Sequence, residues 1–200
     1  MSDNKFDLYD FDKTVYPVDS ETVFLFYCLI HRPYLIILAP WLLLNLALFF
    51  LGFGDQFKGR CFSFLRFTDG EKMAEKFWNN QQKRIYPIFE PENRGSRPIV
   101  VCSASPEFFL RPICEKYGVH TLIATKMDPK TGRIDGFNCK DKQKPLRLAQ
   151  ALPDAEFINV YSDSLKNDIH IFELGQRCFH AVKGTLTEMS IEEIRRKVNK

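Results

Sequence analysis

Residues 6–14 read Phe-Asp-Leu-Tyr-Asp-Phe-Asp-Lys-Thr, and this stretch decides the fold of the 200-residue chain. A short apolar run leads into Asp10 and Asp12, which point the same way if the chain stays extended. Where such a strand ends, both carboxylates converge on the sheet edge at which open α/β proteins bind ligands. One carboxylate can then act as nucleophile and metal ligand while the other transfers protons. Asp-x-Asp is also common in surface turns, so this pattern alone does not establish a binding site. Three later segments provide the further evidence.

The second segment is residues 98–102, an apolar run that ends in Ser-Ala-Ser-Pro-Glu at 103–107. A buried parallel strand reads as a continuous apolar run, so polar residues after it fall at the same sheet edge. Ser103 there would offer a hydroxyl and a backbone amide to an anion. Ser105 is predicted instead to cap a helix that begins at Pro106.

The third segment contains three lysines: Lys140, Lys142 and Lys144. The first two are predicted to lie on a solvated face. The fourth segment is the apolar run 156–161, which is followed by two acids five residues apart, Asp163 and Asp168. Carboxylates from two different strand ends suit Mg²⁺, which prefers oxygen ligands.

The four segments resemble, in content and in order, the motifs of the haloacid dehalogenase (HAD) phosphohydrolase superfamily, and the resemblance covers almost the whole chain. Each motif alone is unspecific, whereas four in order are highly specific. Three segments have sequences similar to those of subfamily IB: residues 103–107, Asn138-Cys139 ahead of Lys144, and residues 161–168. That group contains phosphoserine phosphatase-like enzymes and the C-type phosphatidylglycerophosphate phosphatases.

The resemblance implies a role for each residue that takes part in the reaction. Asp10 would attack phosphorus and form an aspartyl-phosphate. Asp12 would protonate the leaving alcohol and then activate the water that cleaves the intermediate. Ser103 would hold a phosphoryl oxygen, and Lys144 would neutralise charge on Asp10 and the phosphate. Thr14 would help to fix the motif turn and belongs with Ser103 and Lys144 to the expected phosphate-binding residues.

The same resemblance implies a Mg²⁺ cofactor. Asp163, the Asp10 carboxylate and the Asp12 backbone carbonyl would bind the ion, and Asp168 would support it directly or through water. Two positions depart from the family pattern, in which glycine is commoner: Lys13 and Ser162. We interpret both as tuning the site, because neither removes a reacting group.

The alternation of strands with helical segments predicts an α/β fold, a Rossmann-like parallel sheet flanked by helices. The catalytic core is expected at residues 1–17 and 97–200. A small helical cap, residues 18–96, is inserted between the first and second motifs. The end of the chain is predicted as a fifth strand at residues 177–182 and a charged helix from Thr187 onward.

Composition narrows the setting of the protein. With 45% apolar and 26% charged residues, the chain can bury one sizeable core. Its six cysteines have no Cys-x-x-Cys spacing and are expected to be buried free thiols. The net charge of +3 is too small to argue for nucleic acid. The polar N-terminus shows no signal-peptide pattern, so a reducing cytoplasmic setting is expected.

A second unusual feature is the hydrophobic stretch at residues 22–53. Its later part, residues 34–53, has no charged residue and is just long enough to span a bilayer. A single crossing would separate Asp10 from Ser103 and Lys144, which must share one site. A shallow helical hairpin, an interfacial helix and a soluble hydrophobic cap stay open, and we favour monotopic attachment to the cytoplasmic face of the cell membrane. Basic flanking residues favour anionic lipids.

The expected activity is Mg²⁺-dependent hydrolysis of a phosphomonoester, with a membrane lipid phosphate such as phosphatidylglycerophosphate as the favoured substrate. Asp19, Arg32 and the basic residues before Arg66 are candidate recognition groups in the cap. The alternative is a cytoplasmic phosphatase of a small soluble ester such as phosphoserine, in which the apolar segment forms the cap core or a dimer surface. A catalytically dead membrane-interaction protein and phosphotransfer to another acceptor are further alternatives, and the oligomeric state is left open.

Overall fold

The computed structural model describes residues 4–199, apart from the side chain at position 55. Residues 1–3, on which the signal-peptide prediction partly rests, lie outside the described residues. Over the described chain, one sheet contains six strands: β1 (Lys5–Tyr9), β2 (Ile99–Pro106), β3 (Thr121–Thr125), β4 (Glu156–Ser162), β5 (Gly175–Val182) and β6 (Thr185–Met189).

The strand order, β3-β2-β1-β4-β5-β6, places β1 inside the sheet. β1 pairs in parallel with β2 and β4, so that Tyr9 lies opposite Val101 on one side and Tyr161 on the other. β2 and β4 continue the parallel pattern to β3 and β5, and β6 pairs antiparallel with β5. Since parallel strands end at the same edge, the residues after β1, β2 and β4 meet there. The predicted α/β fold is confirmed.

The end of the chain differs from the prediction. Thr187, expected to begin a helix, lies in β6, and the last helix, α8, covers Ile191–Val198. A two-residue turn at 183–184 with φ of 49° and 79° folds β6 back onto β5, a geometry typical of tight hairpins. Ser190 then caps α8, and Glu193 completes the capping box.

The elements between β1 and β2 are helical throughout the described chain. They comprise α1 (Ser20–His31), a 3₁₀ helix (Pro33–Leu38), α2 (Ala39–Phe50), α3 (Asp55–Cys61), a 3₁₀ helix (Ser63–Phe67), α4 (Gly70–Gln81) and three short 3₁₀ turns (Gln82–Arg84, Pro87–Phe89, Pro91–Asn93). The other helices are α5 (Glu107–Lys116), α6 (Gln143–Ala151), α7 (Ile169–Phe172) and α8. The division into cap and core at residues 17/18 and 96/97 stays a prediction.

Aromatic side chains join the cap to the core. Phe24 of α1 stacks on Phe109 of α5, with ring centroids 4.6 Å apart. Trp78 of α4 donates its indole N–H to the Phe109 carbonyl oxygen at 2.6 Å. A second apolar cluster, which includes Leu8 and Val100, fills the other face of the sheet. As predicted, the six cysteines are free and buried. The base of the cap is therefore held by packed aromatic rings.

The apolar segment of the cap packs little against the rest of the protein. Pro33–Phe50 is an 18-residue helical stretch of mean hydropathy 2.0, and 17% of it is buried. By length and composition it could cross a membrane. Leu35 and Leu42 are buried, whereas Ile37, Trp41 and many neighbours are exposed. A helix core inside a small soluble domain would bury far more of such a sequence.

Candidate active site

Lys144 connects two carboxylates at the edge of the sheet. Asp10 follows β1 directly, and its Oδ1 accepts a hydrogen bond from Lys144 Nζ at 2.7 Å. The same ammonium group donates to Asp168 Oδ1, also at 2.7 Å. Thr14 donates to the second oxygen of Asp10 at 3.1 Å. Lys144 lies in the first turn of α6, and all four side chains are buried. The structure thus brings side chains of the first, third and fourth motifs together.

Asp12 is held by two donors from different segments. Its Oδ1 accepts the backbone N–H of Ser20 at 2.7 Å, and its Oδ2 accepts the Ser105 hydroxyl at 2.6 Å. The prediction that Ser105 caps a helix is wrong. Pro106 occupies the N-cap position of α5 without a side-chain hydrogen bond, and β2 continues through Ser105, which turns that side chain into the site. Ser105 is therefore a contact of Asp12 that sequence reasoning missed.

Two further hydrogen bonds order the loops around these carboxylates. The Ser103 hydroxyl accepts the backbone N–H of Ser105 at 3.1 Å and is buried. Thr14 Oγ1 accepts the backbone N–H of Asp163 at 2.8 Å. Thr14 therefore ties the first motif to the acidic turn after β4.

The two departures from the family pattern have structural explanations. Lys13 has a φ of 62°, in the left-handed region that glycine adopts without strain. The backbone conformation therefore explains why glycine is commoner at this position, and a lysine adopts it with some strain. Ser162 donates its hydroxyl to Asp168 Oδ2 at 2.5 Å and accepts the Ser164 N–H at 3.1 Å. Ser162 therefore stiffens the acidic turn by anchoring Asp168.

Asp10, Asp12, Lys144 and Asp163 line a cavity of about 450 Å³. Its lining on the cap side comprises Asp19, Glu21, Phe49 and Lys58. Arg32, predicted as a recognition group, is not among the lining residues of this cavity. It follows the last residue of α1, at the end of that helix remote from the cavity. Because a 12-residue helix is roughly 18 Å long, a side chain at that end lies far from the site.

The cap wall carries a buried ion pair that the motifs do not contain. Lys58 Nζ lies 2.7 Å from a carboxylate oxygen of Glu21 and donates to the Ala104 carbonyl oxygen at 2.9 Å. Asp19 accepts the Thr22 N–H at 2.8 Å and thereby caps α1. Lys58 is one of the basic residues before Arg66 that the sequence analysis named as candidate recognition groups, but nothing in its spacing predicted that it pairs with Glu21.

Burial makes the electrostatics of the site unusual. It raises the pKa of Asp10 to about 7, and Asp168 and Asp163 add to this while Lys144 opposes it. Burial, followed by repulsion from Asp168, also raises the pKa of Asp163. For Lys144, burial disfavours the charge, but Asp10 and Asp168 outweigh it and hold the pKa of the lysine well above its usual value. The site thus contains more carboxylate than one lysine neutralises.

This surplus bears on the expected magnesium ion. Among the described residues, no group of three histidine, cysteine or acidic side chains is arranged as a ready metal cluster. Asp10, Asp163 and Asp168 nevertheless supply the hard oxygen donors that Mg²⁺ prefers, and their mutual repulsion is what a cation would relieve. The residues present therefore fit a divalent cation in chemistry.

An aspartate at the end of an inner parallel strand, paired to a lysine and facing a second strand-end carboxylate, defines a class of α/β hydrolase. The chain belongs to the haloacid dehalogenase-like hydrolase family, whose model matches residues 8–173. It is therefore an enzyme, a hydrolase of this family. Among curated protein sequences, none matches this chain.

Solved structures share the fold at low sequence identity. A protein of unknown function from Bordetella pertussis Tohama I is 20% identical, with 87% of this chain and 88% of that chain covered and a TM-score of 0.70. Phosphoserine phosphatase in its apo form is 18% identical, with 87% and 84% covered and a TM-score of 0.55. A phosphoserine phosphohydrolase-like protein from Francisella tularensis subsp. tularensis SCHU S4 is 16% identical, with 87% and 85% covered and a TM-score of 0.52. The fold is thus that of phosphoserine phosphatase-like structures.

Proposed function

We propose that this hydrolase is a magnesium-dependent phosphomonoesterase that acts through an aspartyl-phosphate on Asp10. The observation that supports this most is the ammonium group of Lys144, which is shared by Asp10 and Asp168 in a buried cavity beside Asp12. Phosphoryl transfer depends on positioning and charge neutralisation more than on elaborate covalent chemistry. One nucleophilic carboxylate, one cationic side chain and one proton-transfer group meet that need.

The reaction would run in two displacements at phosphorus. A carboxylate oxygen of Asp10 attacks the phosphoryl group, the bond to the alcohol oxygen breaks, and Asp12 gives that oxygen a proton. Water then attacks the aspartyl-phosphate, Asp12 takes the proton from it, and the bond between phosphorus and Asp10 breaks. Burial raises the pKa of Asp12, which suits a carboxyl group that must both give and accept a proton. Ser103 and Lys144 would hold phosphoryl oxygens.

Magnesium would be held by the carboxylates of Asp10 and Asp163 and by the Asp12 backbone carbonyl, with Asp168 in support. When bound, it neutralises charge on the phosphate that is transferred. Thr14 donates to Asp10 and accepts the backbone N–H of Asp163, and these two hydrogen bonds keep Asp10 and the Asp163 turn next to each other.

The favoured substrate is the phosphomonoester of a membrane lipid such as phosphatidylglycerophosphate. The observation that supports it is Phe49, in the last turn of α2, which lines the catalytic cavity at the end of the mainly exposed stretch Pro33–Phe50. Asp10 and Lys144, which precede and follow this stretch in the chain, are hydrogen-bonded to each other, so the stretch must return to its starting side. Monotopic attachment to the cytoplasmic membrane face would bring the cavity to a phosphate at the lipid surface.

A small soluble ester such as phosphoserine is the second candidate. The cap wall of the cavity contains Asp19, Glu21 and Lys58, whose charges of both signs could complement a zwitterionic substrate. The phosphoserine phosphatase-like folds described above are consistent with this reading by analogy. The exposed apolar stretch would then be a dimer surface of a cytoplasmic protein.

The test is phosphate release in the presence of Mg²⁺, with phosphatidylglycerophosphate in mixed micelles compared with phosphoserine. Asp10→Asn serves as the blank, and chelation should abolish release. Preference for the lipid supports the membrane enzyme. Preference for phosphoserine refutes the lipid assignment and leaves the phosphatase mechanism in place. Release by Asp10→Asn at the wild-type rate would refute the mechanism itself.

A further inference from the structure

A second cavity, of about 460 Å³, lies between the cap and the core. Three arginines line it: Arg60 of α3, Arg66 of the 3₁₀ helix Ser63–Phe67, and Arg133 of the loop after β3. We call it the arginine cavity. Within the described chain, Asn138 is the one residue that lines both this cavity and the catalytic one. The arginine cavity is therefore a neighbour of the active site and contains none of the reacting carboxylates.

Close backbone packing holds the cap and core walls of this cavity together. Gly132 has a φ of 73°, and a Cβ there would collide with the carbonyl oxygen of Phe62 in the cap. The loop that contains it is closed by hydrogen bonds of 2.9 Å from Asp128 N–H to the Arg133 carbonyl oxygen and from Gly132 N–H to the Asp128 carbonyl oxygen. Arg133 is thus held by a fixed turn against the cap helix that contributes Arg60.

The charges in the arginine cavity are not neutralised by the protein. No acidic side chain of the described residues forms an ion pair with Arg60, Arg66 or Arg133. The Arg60 guanidinium lies over the Phe57 ring, 4.9 Å from its centroid. Three cations that converge on one cavity repel one another, and an anion would relieve this. Guanidinium groups match the oxygens of a phosphate in paired hydrogen bonds.

Apolar side chains in and next to the arginine cavity connect it to the exposed segment of the cap. Phe137 lines the cavity and is 69% exposed. Phe67, 59% exposed, accepts a 2.8 Å hydrogen bond at its carbonyl oxygen from the Tyr34 hydroxyl of the apolar segment. On the other side, Phe57 contacts Phe53, with ring centroids 6.5 Å apart. Exposed arginines beside exposed phenylalanines fit a phosphate attached to acyl chains better than they fit a soluble anion.

We propose that the arginine cavity binds the headgroup phosphate of an anionic phospholipid that is not hydrolysed, and that this contact orients the cap on the membrane. The proposal rests on the membrane attachment included in the proposed function. It adds a site that is separate from the catalytic cavity and combines arginines of the cap with one of the core.

The test is flotation of the full chain with two kinds of vesicle, phosphatidylcholine alone and phosphatidylcholine with one-fifth phosphatidylglycerol. The variant is Arg60→Gln/Arg66→Gln/Arg133→Gln. Its control removes three exposed lysines that form no ion pair, and so removes the same net charge: Lys76→Gln, Lys83→Gln and Lys197→Gln. Each single arginine variant is also measured, in case the triple variant does not fold.

Wild type and the lysine control should bind the anionic vesicles more tightly than the neutral ones. The arginine variant should lose roughly fivefold in anionic-vesicle affinity for each arginine, or about 100-fold in all, and fall to its neutral-vesicle level. An equal loss in the lysine control would show general attraction and overturn the site. Parallel loss of hydrolysis of a soluble ester would assign the arginines to the catalytic cavity and also overturn it. Failure of wild type to bind neutral vesicles would refute attachment through the apolar surface, whereas a wild type that binds neutral vesicles but shows no preference for anionic ones would refute the arginine cavity.

Discussion

The catalytic edge of the sheet and the apolar segment of the cap differ in opposite ways from an ordinary protein. The edge buries ionisable groups, and the segment exposes apolar side chains. At the edge, Asp10, Lys144 and Asp168 are buried ionisable groups, Asp12 is half-buried, and each has hydrogen-bond partners in the protein. In Pro33–Phe50 the side chains are apolar, and most have no protein to pack against. The protein itself satisfies the polar groups of the first region, whereas it leaves much of the apolar surface of the second exposed.

The two regions therefore differ in how far they depend on a partner surface or medium outside the protein. Buried charges persist only when paired, because removal from water costs several kcal/mol for each unpaired ion. Large exposed apolar patches on soluble monomers are uncommon and mark interaction surfaces. We therefore expect changes at the edge to affect chemistry in any medium, and changes in the segment to depend on what covers it.

The largest expected effect is that of Asp10→Asn. Loss of the attacking carboxylate should lower phosphomonoester hydrolysis by at least ~10³-fold, while the fold persists because Asp168 still pairs with Lys144. Phosphate release and thermal unfolding would be measured together. Asp154→Asn, at an exposed site, is the matched control and should keep wild-type activity. A variant that unfolds would show that Asp10 acts mainly in structure.

The next effect separates two leucines of α2. Leu42 is buried and Leu44 is 54% exposed. Leu42→Ala should lower the free energy of unfolding by about 2–5 kcal/mol, because it leaves a cavity. Leu44→Ala should lower it by less than ~0.5 kcal/mol and weaken vesicle binding instead. Urea unfolding followed by tryptophan fluorescence gives the comparison. Equal costs would mean that Leu44 is covered by protein, as in a dimer.

A smaller effect concerns Glu21, on the cap side of the catalytic cavity. Burial raises its pKa from 4.5 to about 7 despite Lys58. Between these values the folded state binds more protons than the unfolded state, so stability should fall as pH rises, by ~1 kcal/mol per pH unit. Glu21→Gln should remove this contribution in unfolding titrations from pH 4.5 to 7, and the exposed Glu71→Gln should not. Identical slopes in wild type and Glu21→Gln would contradict the raised pKa.

The smallest effect is expected for Ser105→Ala. The hydroxyl that orients Asp12 is lost while the Ser20 N–H remains, so turnover should fall about tenfold and the KM should change little. Steady-state hydrolysis of a soluble ester measures this. Ser96→Ala, at an exposed position, controls for the substitution. A change in KM alone would assign Ser105 to substrate binding.

Much of the fold could be predicted because polar motifs that follow apolar runs indicate which strands end at the same edge of a parallel sheet. Three polar segments, each after an apolar run, predicted that β1, β2 and β4 end at the same edge, and the structure has them paired in parallel. The prediction failed at Thr187 and Ser105, where local signals competed. The charged sequence from Thr187 onward is typical of a surface helix, but its first residues pair with β5 as a strand of a hairpin instead. Ser105 precedes a proline in a pattern typical of a helix cap, but β2 continues through this residue instead.

The sequence by itself determined the family, the α/β sheet and the identity of the motif residues, because these depend on short-range order along the chain. Only the tertiary structure placed Lys58 beside Glu21 and brought Arg133 to Arg60 and Arg66. These contacts join segments far apart in sequence through packing of the cap on the core. No local periodicity encodes such a meeting, since it depends on how two separately folded surfaces fit.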